Sequence, residues 1–141
     1  MKTILMVEDE GMLSELFVEY VQMLPDVKYL GCVSEGHSAL ARCLSLRPDV
    51  VILDIRLPGI NGLDMLRKLR KELPESKVIV FSGSLDAYSV LMALDGDAHG
   101  FVEKAYGLTE LNKGIMEVLK GERYYSQGAR DYVEKLTTEK N

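Results

Sequence analysis

The amino-acid sequence predicts an α/β fold in which a doubly wound, five-stranded parallel sheet carries helices on both faces. Two observations support this prediction. Short apolar runs rich in β-branched residues alternate along the chain with longer stretches whose apolar residues recur at helical spacing. Several of the short runs are continuously apolar, which is typical of strands that are covered on both faces of a sheet.

The predicted strands are five short apolar runs. They cover Thr3–Val7, Tyr29–Val33, Val50–Leu53, Val78–Phe81 and Phe101–Val102. The first, third and fourth runs do not alternate between apolar and polar residues, as a half-exposed strand would. We therefore expect these three strands to lie in the interior of the sheet.

Five helical patterns fill the intervals between and after the strands. Their apolar stripes run from Leu13 to Leu24, Ala39 to Leu44, Leu63 to Leu73, Val90 to Leu94 and Leu108 to Leu119. Each stripe is followed by a residue that favours the end of a helix, namely Pro25, Pro48, Pro74, Gly96 and Gly121. Strict alternation of strand and helix predicts a parallel sheet with right-handed crossovers.

The chain changes character after Gly121, so we divide it into a domain over 1–121 and an extension over 122–141. Residues 122–125 are predicted to form a turn, and Ser126 is placed to cap a final helix. The apolar residues of that helix are Ala129, Tyr132, Val133 and Leu136. We expect the helix to dock on the domain; the alternative is a helix that binds a partner or a second copy.

Length, charge and composition limit the classes of protein that this chain can represent. The 141 residues suit one domain, and 17 basic against 22 acidic side chains give a net charge of −5. A chain with this negative charge is not expected to bind the phosphate groups of a nucleic acid. Its apolar runs are too short to span a membrane. Cys32 and Cys43 are predicted to be small buried side chains in a reducing cytoplasm, and His37 and His99 to be ordinary surface or loop histidines.

Polar side chains follow four of the predicted strands. Glu8 and Asp9 follow the first strand, Asp54 the third, Ser82 the fourth and Lys104 the fifth. Parallel sheets bind ligands outside the carboxyl ends of their strands, so these groups are expected to meet. Three carboxylates repel one another unless a cation such as Mg²⁺ offsets them. The set predicts a phosphoryl-transfer site with an aspartate nucleophile, in which the hydroxyl and the ammonium contact phosphoryl oxygens.

These residues stand in segments that resemble the receiver domain of two-component response regulators. The most specific segment is Asp54-x-x-Leu-Pro-Gly-x-x-Gly62, and the resemblance extends from about Lys2 to Gly121. It implies the flavodoxin-like, receiver-type form of the predicted fold. The matching segments are Ile4–Glu10, Pro48–Gly62, Val78–Gly83 and Gly100–Ala105.

The resemblance implies a role for each residue of the site. Asp54 would accept a phosphoryl group from a histidine kinase or a phosphotransfer protein, and Ser82 and Lys104 would hold the phosphoryl oxygens. Mg²⁺ would be bound directly by Asp9, Asp54 and the backbone carbonyl of Arg56, and by Glu8 largely through water. The protein would be a cytoplasmic switch and no enzyme beyond its own phosphorylation and dephosphorylation.

The resemblance also implies how the switch acts. Ser82 and Phe101 would be the switch residues, and they would alter the face formed by the fourth helix, the fifth strand and the fifth helix. That face would control a downstream protein partner or self-dimerisation. Its candidate residues are Met92, Asp95, Phe101 and Glu103.

The sequence departs from the family pattern at two positions, neither of which removes a required group. Ala105 stands where the family often has proline after the lysine, and Glu8 stands where aspartate is commoner. Arg56 and Ser84 occupy the positions that flank the path of attacking water, and neither is a water-positioning carboxylate or amide. We therefore expect slow self-dephosphorylation.

Several other interpretations remain open at this point. The segment Val118–Ser126 is similar to the end of the receiver in nitrate/nitrite-type regulators, so the chain is either a stand-alone receiver or the receiver part of a DNA-binding regulator whose helix-turn-helix is absent from these residues. A phosphorylation-independent interaction module is a further alternative. A flavodoxin-like electron carrier and a haloacid-dehalogenase-type phosphatase are disfavoured, because Glu8-Asp9-Glu10 would repel a phosphate and Asp54-Ile55-Arg56 lacks a second acid.

Overall fold

A computed structural model describes residues 1–139, so the last two positions of the predicted extension 122–141 lie outside the described residues. Its sheet has six parallel strands in the order β2-β1-β3-β4-β5-β6. The strands are β1 (Lys2–Val7), β2 (Val27–Val33), β3 (Val50–Leu53), β4 (Lys77–Ser82), β5 (Gly100–Glu103) and β6 (Tyr124–Tyr125).

Six α-helices connect and follow these strands, and a short 3₁₀ turn at Lys104–Tyr106 precedes the fifth helix. The helices are α1 (Gly11–Val21), α2 (Gly36–Leu46), α3 (Gly62–Glu72), α4 (Ala87–Asp95), α5 (Gly107–Leu119) and α6 (Gln127–Glu139). None of the helices found within residues 1–139 has both the length and the apolar character needed to cross a membrane.

Both faces of the sheet are covered, which confirms the predicted fold class. Neighbouring residues of β1 point to opposite faces, so Leu5 belongs to one apolar cluster and Ile4 to the other. The cluster around Leu5 is covered by α2, α3, α4 and α6, and the cluster around Ile4 by α1 and α5. This arrangement explains why β1, β3 and β4 are apolar runs without alternation.

The prediction of five strands is wrong, because the segment expected to be a turn ends in a sixth strand. Tyr124 N–H donates to the His99 carbonyl at 3.1 Å, and Ser126 N–H donates to the Phe101 carbonyl at 2.9 Å. The strand is held from its start by Arg123, whose guanidinium donates to the Ala98 carbonyl. Two aromatic residues are too short a run to show the pattern of a strand, so only the pairing with β5 reveals it.

The helix α6 packs on α4 and β5. Ala129 is fully buried in the same apolar cluster as Phe101, and Tyr132 and Val133 pack against that cluster. Ser126 precedes the helix and is fully buried, and its hydroxyl accepts a hydrogen bond from Glu103 N–H at 3.2 Å. The side chain of Ser126 therefore ties the start of α6 to the end of β5.

The expectation that both cysteines are buried is wrong, and the two histidines differ in burial. Cys43 is buried, but Cys32 is exposed because β2 is an edge strand that the helices cover incompletely. His37 is exposed, but His99 is buried, and its Nδ1 accepts a hydrogen bond from Val78 N–H at 3.0 Å. Burial lowers the pKa of His99 to about 4, so its ring is a neutral acceptor.

Candidate functional site

Three carboxylates meet at the carboxyl edge of the sheet. Glu8 and Asp9 directly follow β1, and Asp54 directly follows β3, the neighbouring strand. One oxygen atom from each of the three carboxylates lies within 4.8 Å of the others. Glu8 is 2% exposed and Asp54 is 7% exposed, whereas Asp9 is open to solvent. The cluster therefore combines two buried carboxylates with one that solvent can reach.

Lys104 brings a positive charge into the cluster from the end of β5. Its Nζ lies 2.8 Å from Glu8 Oε1 and 3.1 Å from Asp54 Oδ2, and it also lies 3.1 Å from Glu10 Oε2. Burial would lower the pKa of Lys104, but its hydrogen bonds to Glu8 and Asp54 outweigh burial and raise the pKa above its usual range. These contacts therefore favour the charged ammonium form of Lys104. We call Glu8, Asp9, Asp54 and Lys104 the acid pocket.

Backbone hydrogen bonds orient the two buried carboxylates. Asp54 Oδ1 accepts from Arg56 N–H at 2.9 Å, and Glu8 Oε2 accepts from Glu10 N–H at 3.1 Å. Asp54 N–H in turn donates to the Val7 carbonyl of β1 at 3.1 Å. Burial raises the pKa of Glu8, and the hydrogen bond from Lys104 offsets part of that increase. Each of these carboxylates therefore presents one oxygen that is held by the backbone and one that faces Lys104.

Ser82 ends β4 at the same edge, but its hydroxyl is turned into its own loop. The hydroxyl accepts from Ser84 N–H at 3.1 Å and lies 3.1 Å from the Ser84 carbonyl, to which it donates. Ser82 is fully buried. The structure thus brings Glu8, Asp9, Asp54 and Lys104 together at one edge of the sheet, while the Ser82 hydroxyl is engaged in the loop that leads to α4.

Phe101 lies on β5 and is fully buried. It belongs to the apolar cluster that also contains Val90 of α4 and Ala129 of α6. Its side chain is thus part of the packing between α4, β5 and α6 rather than an exposed ring. Any rearrangement of Phe101 must involve these helices, because no free space surrounds a side chain packed in this way.

Two contacts near the acid pocket were not identified from sequence. Arg56 is expected to contribute its backbone carbonyl and to flank the path of attacking water, and the structure adds a contact of its side chain: Nη2 lies 2.8 Å from Ser89 Oγ and 3.3 Å from Asp86 Oδ2, at the first turn of α4. Asp86 Oδ1 accepts from Ser89 N–H at 2.7 Å, and this hydrogen bond lowers the pKa of Asp86. The helix-cap pattern Asp86-x-x-Ser89 is the feature of the sequence that could have indicated this contact. Glu10, the third partner of Lys104, could have been recognised because it continues the acidic run Glu8-Asp9-Glu10.

Comparison with known proteins places this geometry in a family. A family model described as the response regulator receiver domain matches residues 4–116. The nitrate/nitrite response regulator protein NarL of Escherichia coli (strain K12) is 36% identical over 102 residues, which cover 72% of this chain and 47% of NarL. The DNA-binding transcriptional activator EvgA of the same strain is 31% identical over 114 residues, which cover 81% of this chain and 56% of EvgA. The chain thus spans about half the length of the curated relatives it matches.

A solved structure agrees over nearly the whole chain. The crystal structure of a two-component response regulator of the LuxR family from Aurantimonas sp. SI85-9A1 gives a TM-score of 0.87 at 22% sequence identity. The match covers 96% of this chain and 97% of that one. At this level of identity the likeness concerns the fold alone.

Proposed function

This chain belongs to the family of response regulator receiver domains, and from that premise we propose that it is a signalling switch controlled by phosphorylation of Asp54. The observation that carries the proposal is the acid pocket itself. Asp54 is buried beside the Lys104 ammonium, with Glu8 and Asp9 from the neighbouring strand within 4.8 Å. Receiver domains act as switches rather than as enzymes with an external substrate, and we propose the same for this chain.

The chemistry is the transfer of a phosphoryl group from a phosphohistidine to a carboxylate. A carboxylate oxygen of Asp54 attacks phosphorus, the bond between phosphorus and the imidazole nitrogen breaks, and the leaving imidazole takes a proton from solvent. The product is an acyl phosphate. Lys104 neutralises charge on the transferred group, because its ammonium already lies 3.1 Å from Asp54 Oδ2.

The donor set fits Mg²⁺. Three carboxylates supply hard oxygen ligands, and with Glu10 nearby the single ammonium of Lys104 leaves the pocket with excess negative charge. Glu8, Asp9, Asp54 and the backbone carbonyl of Arg56 would hold the ion. When bound, Mg²⁺ would neutralise phosphoryl oxygens and so lower the repulsion between Asp54 and the incoming group.

The response is assigned to Ser82 and Phe101. The Ser82 hydroxyl would exchange its hydrogen bonds with Ser84 for one with a phosphoryl oxygen, and the packing around Phe101 would adjust. These changes would alter the face of α4, β5 and α5, which a downstream protein partner or a second copy would recognise. The donor would be a histidine kinase or a phosphotransfer protein.

A second candidate function follows from the length comparison. The matched residues make up only 47% of NarL and 56% of EvgA, and EvgA is described as a DNA-binding transcriptional activator. Within a longer protein, this chain would be the receiver part of a transcriptional regulator. The same phosphorylation of Asp54 would then control DNA binding by a separate domain of that longer protein.

Intact mass spectrometry tests the shared step. The chain would be incubated with acetyl phosphate in the presence and absence of Mg²⁺, beside Asp54→Asn and the exposed control Asp131→Asn. We expect one added phosphoryl group in the parent and in Asp131→Asn with Mg²⁺, and none in Asp54→Asn. A folded parent that gains no phosphoryl group from acetyl phosphate or from a phosphohistidine protein would instead favour a phosphorylation-independent interaction module.

A further inference from the structure

The first turn of α6 touches the loop that follows Ser82 and the last residue of β5, which precedes Lys104. Gly128 packs so closely against Leu85 that a Cβ atom at this position would overlap the leucine side chain. Leu85 lies in the loop that begins at Ser82. The same glycine faces the carboxylate of Glu103, which directly precedes Lys104.

Hydrogen bonds connect the start of α6 to the same strand. Ser126 N–H donates to the Phe101 carbonyl at 2.9 Å, and Glu103 N–H donates to Ser126 Oγ at 3.2 Å. Ser126 is fully buried, so water does not compete for these bonds. A displacement of β5 at its carboxyl end is therefore transmitted directly to the residue that begins α6.

The apolar side of α6 covers α4 and β5, which are two of the three elements of the proposed output face. Ala129 is fully buried there, and the neighbouring apolar side chains of the helix pack against the same cluster. On the side of the cluster that belongs to α4 and its preceding loop, the partly buried residues are Leu85, Met92 and Leu94. In this structure α6 thus occupies part of the surface that a partner would need.

We propose that α6 is an intramolecular ligand of the surface formed by α4 and β5, and that phosphorylation of Asp54 weakens its docking. The inference rests on the proposed function. To reach a phosphoryl group, the Ser82 hydroxyl must leave Ser84, which moves the loop that carries Leu85. The contact at Gly128 is so close that a movement of the backbone around Leu85 changes how the leucine side chain packs against α6. A difference in fit between two loop states is a coupling free energy between docking and phosphorylation.

Hydrogen–deuterium exchange of the full chain tests this inference without any substitution. The chain would be compared in Mg²⁺ alone and in Mg²⁺ with beryllofluoride, a phosphoryl mimic whose binding is checked in the same samples by native mass spectrometry. We expect the amides of residues 127–138 to exchange several-fold faster when beryllofluoride is bound, while the amides of β1 and β3 keep their protection.

The outcomes separate the two proposals. Bound beryllofluoride with unchanged or slower exchange in α6 would overturn the inference and leave the proposed function standing. A chain that does not bind beryllofluoride would overturn both. Asp54→Asn, which removes the anionic acceptor, should show neither binding nor faster exchange.

Because coupling is reciprocal, undocking α6 should favour the phosphorylated form. Ala129→Asp places a carboxylate in the apolar contact and should lower the Kd for beryllofluoride by about five-fold or more. Thr138→Asp, an exposed position of the same helix, should leave the Kd unchanged. Unchanged affinity in an Ala129→Asp chain whose α6 amides exchange freely would contradict the inference, and a failure of this variant to fold leaves the exchange experiment decisive.

Discussion

The two sides of the candidate site differ in how firmly their side chains are held. In the acid pocket, Glu8 and Asp54 are buried, each is bonded to the backbone, and Lys104 lies between them. These groups follow interior strands of the sheet. A phosphoryl group that reaches Asp54 would therefore meet charges that are already in position, with little reorganisation.

The opposite side, which we call the response side, consists of residues 82–103 and 123–139. Some of its polar contacts are exposed, as in the pair of Asp86 with Arg56, whose side chains are 48% and 46% exposed. Its hydroxyl at Ser82 is bonded only within its own loop. Such contacts are exchanged at small cost. A group added to Asp54 should therefore change the response side and leave the acid pocket in place.

The largest effect on phosphorylation is expected when the fixed cation of the acid pocket is removed. Lys104→Met should slow phosphorylation by acetyl phosphate by 10²- to 10³-fold, on the order expected for the loss of one charge-stabilising donor. The measurement is the rate of mass gain at saturating Mg²⁺. Lys135→Met, an exposed lysine of α6, is the control and should keep the parent rate. A parent-like rate in Lys104→Met would contradict the role of the acid pocket.

Acidification should weaken the response side through His99, which joins β4, β5 and β6 by three hydrogen bonds. Burial lowers the pKa of His99 to about 4, whereas an unfolded histidine titrates near 6.5. Between these values only the unfolded chain binds the proton. The contribution of neutral His99 to the free energy of unfolding is thus fully present above about pH 6.5, and about 3 kcal/mol of it is lost as the pH approaches 4. Urea titrations across this range measure the loss.

Two variants assign that pH dependence to its source. His99→Gln removes the titrating ring, so its stability should change less between pH 6.5 and 4 than that of the parent. His37→Gln, at an exposed position, should keep the full dependence. Identical curves for the parent and His99→Gln would show that other groups cause the effect.

A smaller loss is expected when the hydrogen bond at the start of α6 is removed. Ser126→Ala leaves the Glu103 N–H without its acceptor in a buried position, which costs about 1–3 kcal/mol of unfolding free energy. The measurement is the urea midpoint at constant slope. Thr138→Ala, an exposed change on the same helix, should stay within about 0.5 kcal/mol of the parent. An equally stable Ser126→Ala would show that α6 does not depend on this bond.

The smallest effect is expected for the exposed contact between Arg56 and α4. Arg56→Ala removes the bonds to Asp86 and Ser89 and should cost at most about 1 kcal/mol. Its clearer sign is faster hydrogen exchange in the first turn of α4, with unchanged exchange in α3. If phosphorylation of Asp54 also slows markedly in this variant, Arg56 belongs functionally to the acid pocket, and the division into two sides is wrong.

The acid pocket was largely predictable because each of its members directly follows a strand. The pattern that locates β1, β3 and β5 also locates Glu8, Asp54 and Lys104, and parallel topology brings these strand ends to one edge. No knowledge of side-chain conformation was needed. The assigned roles of these residues remain predictions, which phosphorylation of the parent and its variants would test.

The response side was less predictable because its contacts join residues that no local pattern relates. The bond between Ser126 and Glu103 and the contact between Arg56 and Ser89 depend on how loops pack, not on periodicity. The strand Tyr124–Tyr125 is recognisable only by its pairing with β5. The burial of His99 follows from the same addition to the sheet, since its carbonyl accepts from Tyr124 N–H.

The most direct test of the central claim is to locate the phosphoryl group. After incubation with acetyl phosphate and Mg²⁺, borohydride reduction would convert an aspartyl phosphate to homoserine, and peptide mass spectrometry would identify the position. We expect homoserine at Asp54 and at no other carboxylate, including the neighbouring Asp9. Homoserine elsewhere, or a phosphate that survives on a hydroxyl side chain while Asp54 is unmodified, would contradict this expectation.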